Sequence, residues 1–215
     1  MVPFTWHEEE LILHPSRCIF WEKERALILS DLHIGKTGHF RKEGIAVPQS
    51  VYQQDLHRLF DTIQYFNPAQ VILVGDLFHS RSNKEWDWFG KWRNDFAGID
   101  FTLVLGNHDK VPTQVANELK LQVTTQLQTG PFLFLHDASD VEDIPDGALG
   151  IISGHVHPAV NIQTGIRQSL CLPCFHFTPT TCTLPAFSLF TGRHVIRPKA
   201  ADAVFVVTGN EVIEM

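Results

Sequence analysis

Two short motifs, Asp31-Leu32-His33 and Gly154-His155-Val156-His157, each put two potential metal ligands on one short turn. Three further clusters join them: Gly75-Asp76, Gly106-Asn107-His108-Asp109, and His136 after the apolar run 132–135. Asp-x-His and His-x-His spacing lets a single bend aim both side chains at one centre. Hydrolysis of a phosphate ester needs a nucleophile at neutral pH and cover for the negative phosphoryl oxygens, and two divalent ions about 3.5–4 Å apart supply both. One carboxylate has to bridge such a pair, and Asp76, central in the set, is the natural candidate. Imidazole and carboxylate donors together suit Mn, Fe, Zn, Co or Ni, whereas an all-oxygen site would suit Mg or Ca. Any one of these motifs alone is common. Five in order, each just beyond an apolar run, form a pattern that chance does not readily produce.

The positioning elements can be read from the same stretches. Apolar runs at 11–13, 18–21 and 26–30 read as successive strands, the last buried on both faces. Residues 48–66 read as a helix that opens on Pro48, has an apolar face of Tyr52, Leu56, Leu59, Phe60 and Ile63, and stops at Asn67-Pro68. Buried strands follow at 71–74 and 101–105, with helices at about 83–96 and 113–119. From Gly130 onward short strands dominate, at 132–135, 149–153, 160–163, 169–172, 186–190 and 203–207, with Gly and Pro turns between them. Helices alternate with strands only in the first half, so one domain over 1–215, two sheets packed face to face with helices outside, accounts for both halves. Sites in open sheets form at the carboxyl ends of the strands, which is where every polar cluster falls.

Here the sequence resembles the calcineurin-like metallophosphoesterases, on Asp31-x-His33, Gly75-Asp76, Gly106-Asn107-His108-Asp109, His136 and Gly154-His155-x-His157. That resemblance implies a four-layer αββα sandwich in the α/β class, with two mixed sheets flanked by helices. It implies that Asp31, His33 and His157 bind a first metal, that Asn107, His136 and His155 bind a second, and that Asp76 bridges them. It also implies a catalytic role for His108, a histidine that binds no metal and faces the leaving group, with Asp109 orienting its ring. A finer resemblance, to the bacterial ligase-associated DNA-damage-response endonuclease branch, rests on several motifs. These are Asp31-Leu-His-Ile-Gly-Lys36, Phe40-Arg41, 44–48, 75–80, 172–175, Leu184-Pro185-Ala186-Phe187 and Phe190-Thr191-Gly192. It implies a phosphodiesterase that acts on DNA during repair, in association with an ATP-dependent DNA ligase, a helicase and an exonuclease-like protein. Manganese is the expected metal.

Around this core of ligands, Lys36, Arg41, His79 and Arg81 are candidate substrate contacts, the arginines as bidentate phosphate partners and Lys36 as a point charge. Trp86, Trp88, Phe89 and Trp92 could stack bases, but Trp88, Trp92 and Phe96 recur at helical spacing, as do Glu85, Phe89 and Arg93, and one such stripe reads as a helix face packed on the sheet with Trp86 exposed. Cys171 and Cys174 form a lone CxxC without a second pair, so reduced thiols in or beside a strand are the expectation. The net charge of −7 argues against a protein held on DNA by a broad basic surface and favours a small nucleotide or nucleotide diphosphate as the alternative substrate. A metal-free scaffold with the same fold should have lost ligands, and none is missing. No apolar run is long enough for a membrane helix, and the N-terminus lacks a signal-peptide pattern, so a soluble cytoplasmic enzyme is expected.

Overall fold

A computed structural model of the chain describes residues 1–36, 50–79, 83–163 and 168–215. The first sheet runs in the order β1 (Val2–Trp6), β2 (Glu9–His14), β3 (Cys18–Trp21), β4 (Ala26–Leu29), β5 (Gln70–Val74), β6 (Asp100–Val104), β7 (Leu121–Thr124). The first four strands are antiparallel neighbours, and from β4 onward pairing is parallel, with Leu27 opposite Val71, Val71 opposite Phe101 and Phe101 opposite Leu121. Parallel neighbours need crossovers, supplied here by helix α1 (Ser50–Phe66), α2 (Asn83–Asn94) and α3 (Thr113–Glu118).

Both faces of these strands are buried, which is why they read as unbroken apolar runs. Alternate residues part company: Ile28, Ile72 and Val74 face the second sheet, while Leu27, Leu29, Val71 and Leu73 face the helices. Leu56, Leu59 and Ile63 give α1 its buried stripe, with Phe60 packed at its margin. Asn67 then turns left-handed at φ 44°, accepts the role of helix stop before Pro68, and donates its N–H back to the Ile63 carbonyl at 2.8 Å.

The second sheet contains β8 (Leu127–Thr129), β9 (Phe132–Phe134), β10 (Gly150–Ser153), β11 (Pro158–Gln163), β12 (Ser169–Phe177), β13 (Thr181–Thr183), β14 (His194–Val195), β15 (Ala203–Val207) and β16 (Val212–Glu214). Its inner face sets Phe132, Phe134, Ile152, Phe175 and Phe205 against Trp6, Trp21 and Ile28 of the first sheet. On its outer face, Leu133, Leu135 and Ile151 are covered by a 3-10 turn at Ala138–Asp140 and by Val141 and Ile144. The expected α/β sandwich of two mixed sheets is therefore the fold, and the α-helices among the described residues pack on the first sheet. No helix among them is long and apolar enough to cross a membrane.

Two local expectations are corrected. Residues 186–190 form no strand. They lie as a strap along α1 and the Asp31 loop, held by two backbone hydrogen bonds to Ser30 and Asp31 and by side chains rather than by a regular ladder. On α2, Trp86 is partly buried and Trp88 exposed, the reverse of the sequence reading. The buried face centres on Phe89, Arg93 and Phe96. Trp86 and Trp92 each lie about 60° from Phe89 around the helix, but Trp88 lies about 100° away.

Candidate metal centre

Strand ends of the parallel segments lie side by side, and the chain keeps them in step for several residues beyond the sheet. Asp31 donates its N–H to the Gly75 carbonyl (3.1 Å), His33 to that of Asp76 (2.9 Å) and Ile34 to that of Leu77 (2.8 Å). The second sheet does the same with its parallel pair β9 and β10, where Gly154 donates to the His136 carbonyl at 3.0 Å. The two rims are then tied together, since the backbone N–H of His155 reaches Asp31 Oδ2 at 3.2 Å.

Sharp turns make this convergence possible. Asp31 (φ 56°), His33 (48°), Asp76 (51°), His155 (65°) and His157 (53°) all sit in the left-handed region, which side chains other than Gly enter at a cost of about 1–3 kcal/mol each. The glycines of the motifs leave room for the ligands: a Cβ on Gly154 would stand 2.6 Å from Asp31 Oδ2, and one on Gly75 would overlap the His136 ring.

Two clusters result whose donor atoms all lie within 4.8 Å of one another: Asp31, His33 and His157, and Asp31, Asp76 and His136. They overlap at Asp31, while Asp76 belongs to the second only. His157 Nε2 stands 3.1 Å from Asp31 Oδ1 and His33 Nε2 stands 3.9 Å from it. His136 Nε2 is 3.4 Å from Asp76 Oδ2. At the exposed mouth Asn107 Nδ2 and His155 Nδ1 are 3.5 Å apart, and the His155 and His136 ring centroids 5.2 Å.

Asp31 Oδ1 and His136 Nε2 are buried yet have no hydrogen-bond partner, despite these short distances. Buried polar atoms normally have partners, and lone pairs that converge without donors between them call for a cation. Mixed carboxylate and imidazole donors fit a transition metal. The tautomers agree. His136 Nδ1 lies 3.0 Å from the Val74 carbonyl, and a carbonyl can only accept, so Nδ1 carries the proton and Nε2 is left for the centre.

Without metal, burial opposes the charged form of His136, but the carboxylates of Asp76 and Asp31 outweigh it and raise its pKa to about 9. Burial also opposes the charged form of Asp76, and the neighbouring His136 prevails, holding this carboxylate well below its usual range. His33 is lowered to about 3, by burial and then by the Lys36 ammonium.

The remaining sequence-stated candidates fall as follows. His108 is half-exposed, with Nε2 4.0 Å from Asp76 Oδ2 and its N–H donated to Asp76 Oδ1 at 2.9 Å. Asp109 does not grip the His108 ring as expected. Its Oδ1 accepts the N–H of Phe78 and its Oδ2 that of Gly106, both at 3.0 Å, so it shapes the loop that carries Asn107 and His108. Burial raises its pKa to about 6. His79 lies beside this group, its ring centroid 4.9 Å from that of His108 and 5.7 Å from that of His33. Lys36 Nζ donates to Thr191 Oγ1 at 3.0 Å. Arg41 and Arg81 lie outside the described residues.

The sequence reading missed the strap. Phe187 N–H donates to the Ser30 carbonyl (2.8 Å) and Ser188 N–H to that of Asp31 (3.1 Å), while the Thr191 hydroxyl and the Gly192 carbonyl flank His157 Nδ1 at 3.1 and 3.2 Å. It also missed Asp137, whose Oδ2 is 3.6 Å from His155 Nε2. The uncharged strap residues carry no chemical signature, so only their recurrence as a motif marked them.

The profile of the calcineurin-like phosphoesterase family matches residues 24–159, which span all seven candidate ligands. Among solved structures, the nuclease MPE of Pseudomonas putida is similar over 100% of this chain and 99% of its own, at 28% identity and a TM-score of 0.83. YfcE, a phosphoesterase from E. coli, is similar over 87% of this chain and 96% of its own, at 14% identity and a TM-score of 0.46. No curated protein matches the sequence.

Proposed function

The chain belongs to the calcineurin-like phosphoesterase family, a metal-dependent hydrolase by that membership, and we propose that it is a dinuclear nuclease cutting phosphodiester bonds in DNA. In this reading Asp31, His33 and His157 would hold one ion and Asn107, His136 and His155 the other, with Asp76, beside Asp31 and His136, as the carboxylate that would serve both. The observation that carries it is the pair of buried, partnerless atoms, Asp31 Oδ1 and His136 Nε2, within two overlapping clusters on one rim. End-to-end similarity to a nuclease supports nucleic acid over small nucleotides as substrate. The motifs shared with the ligase-associated branch support work at DNA breaks beside a ligase, a helicase and an exonuclease-like protein. The whole of 1–215 acts as one catalytic unit, because the strap beyond residue 186 closes on ligands that begin at Asp31.

Bound divalent ions, with manganese the expected pair, would ease formation of the hydroxide nucleophile and cover the charge on the phosphoryl oxygens. The protein does the rest. Asp31 and His157 are fixed by the strap, His136 by the Val74 carbonyl, and Asp76 by the His108 N–H, so the donors need little reorganisation. His108, half-exposed over Asp76, is placed to pass a proton from Nε2 to the departing oxygen. His79, whose ring lies beside those of His108 and His33, is proposed with Lys36, Arg41 and Arg81 to grip the flanking phosphates.

An assay with Mn²⁺ across nicked and single-stranded DNA, bis-p-nitrophenyl phosphate, p-nitrophenyl phosphate and mononucleotides tests this reading. DNA and the diester should be cleaved, and Asp76→Asn should lose metal and activity together. Turnover confined to mononucleotides or nucleotide diphosphates would replace DNA by the small-molecule alternative.

A further inference from the structure

The Phe190-Thr191-Gly192 motif ends the strap, and of its three residues Thr191 has not been given a role. Thr191 and Gly192 both contact one ligand. His157 Nδ1 faces the Gly192 carbonyl at 3.2 Å and Thr191 Oγ1 at 3.1 Å, and Thr191 Oγ1 in turn accepts from Lys36 Nζ at 3.0 Å. The carbonyl decides the tautomer, since an acceptor cannot face a bare imidazole nitrogen. Nδ1 therefore carries the proton, shared between the carbonyl and the hydroxyl. Nε2 keeps its lone pair, 3.1 Å from Asp31 Oδ1 and 3.5 Å from His33 Nε2.

Both lone pairs of the Thr191 hydroxyl are then engaged, one by the His157 N–H and one by the ammonium. Lys36 follows Asp31 and His33 on the same loop, so the loop that supplies two ligands also holds the clamp on the third. On the other side of the strap, the Ser188 N–H is on the Asp31 carbonyl.

We infer that Thr191, anchored by Lys36, is a positioning residue for His157: with the tautomer set by the Gly192 carbonyl, its hydroxyl holds the ring's orientation and aims Nε2 at the metal shared with Asp31 and His33. This rests on the proposed first metal centre. Hydrogen-bond partners of ligating histidines of this kind typically contribute 10- to 100-fold to metal affinity.

The test is a calorimetric Mn²⁺ titration of the metal-free protein, with His157→Ala marking which binding phase belongs to this centre. Thr191→Val, which keeps the branched shape and removes the hydroxyl, should weaken that phase about 10-fold or more. The other phase and the metal-free melting temperature should stay as in the wild type. Thr191→Ser should restore affinity to within a few-fold, and Lys36→Met should weaken the same phase. Thr191→Val binding Mn²⁺ as tightly as the wild type overturns the inference and leaves the metal centre standing. So does a loss that tracks a fall in the metal-free melting temperature and is not restored by Ser. Wild-type protein that takes up no Mn²⁺ overturns the metal centre itself and this inference with it.

Discussion

His108 and His136 are both histidines at strand ends, yet their surroundings give them different work. His136 is buried, its Nδ1 proton is committed to the Val74 carbonyl, and Nε2 faces Asp76. His108 is half-exposed, its Nε2 4.0 Å from the same carboxylate. A residue that binds no metal can be removed without losing any. His108→Ala should therefore keep the full metal content by elemental analysis while kcat on bis-p-nitrophenyl phosphate falls at least about 100-fold. Metal loss in this variant would make His108 a ligand, and undiminished turnover would remove it from the chemistry. Residue types and spacings made these histidines visible in the sequence. The division of labour came from the family resemblance alone, because the burial and the partner of the second ring nitrogen that account for it depend on chain far away. Asp109 shows the same limit: its position beside His108 suggests a hold on the ring, but its carboxylate points to backbone N–H groups of Phe78 and Gly106.

The strap at 186–192 is the element that the sequence concealed. Its apolar residues read as a strand, but beyond two backbone bonds to Ser30 and Asp31 its backbone groups find partners in side chains from distant segments. Arg17 donates to the carbonyls of Ala186 and Ser188, Arg58 to that of Phe187, and Asp55 accepts from the Ser188 hydroxyl and the Leu189 N–H. Arg58 also pairs with Asp55 at 3.1 Å and lies over the Phe187 ring. Burial raises the Asp55 pKa, and Arg58 beside it works in the opposite direction. Breaking a buried pair leaves the other charge uncompensated, at a cost of about 3–5 kcal/mol. Asp55→Ala should thus lower the urea unfolding free energy by about 3 kcal/mol, the lower end since Arg58 is partly exposed. A loss under about 1 kcal/mol would show that the strap is held by its apolar contacts instead. The helices were far more legible. Leu56, Leu59 and Ile63 announce α1 and its buried face from their spacing alone.

Across the whole molecule, acid should act through histidines that the fold keeps neutral. His14 is lowered to about 4, by burial first and then by the positive N-terminus, and its Nδ1 accepts the Ser16 N–H, which only the neutral ring can do. A folded pKa below the ordinary value of 6.5 means that the unfolded chain binds the proton more readily. The stability contributed by neutral His14 is then complete above pH 6.5 and is lost as pH falls towards 4. His33 adds to the same loss in metal-free protein, down to about pH 3. His14→Asn retains an acceptor and removes the titration. Its metal-free melting temperature should fall less between pH 6.5 and 4 than that of the wild type, and parallel curves would refute the assignment.

The sequence by itself determined the ligand types, their order and their places after apolar runs, and with them the class of chemistry and the α/β sandwich. These properties are local: a strand's burial on both faces, a helix's stripe and the donor set of a motif are written in consecutive residues. Tertiary structure decided what depends on two rims meeting. It set which carboxylate two clusters share, the left-handed turns that aim Asp31, His33, Asp76, His155 and His157, and the Thr191 and Gly192 contacts on His157. Hydrogen bonds between residues 34 or more positions apart fix these features, and no spacing along the chain encodes them.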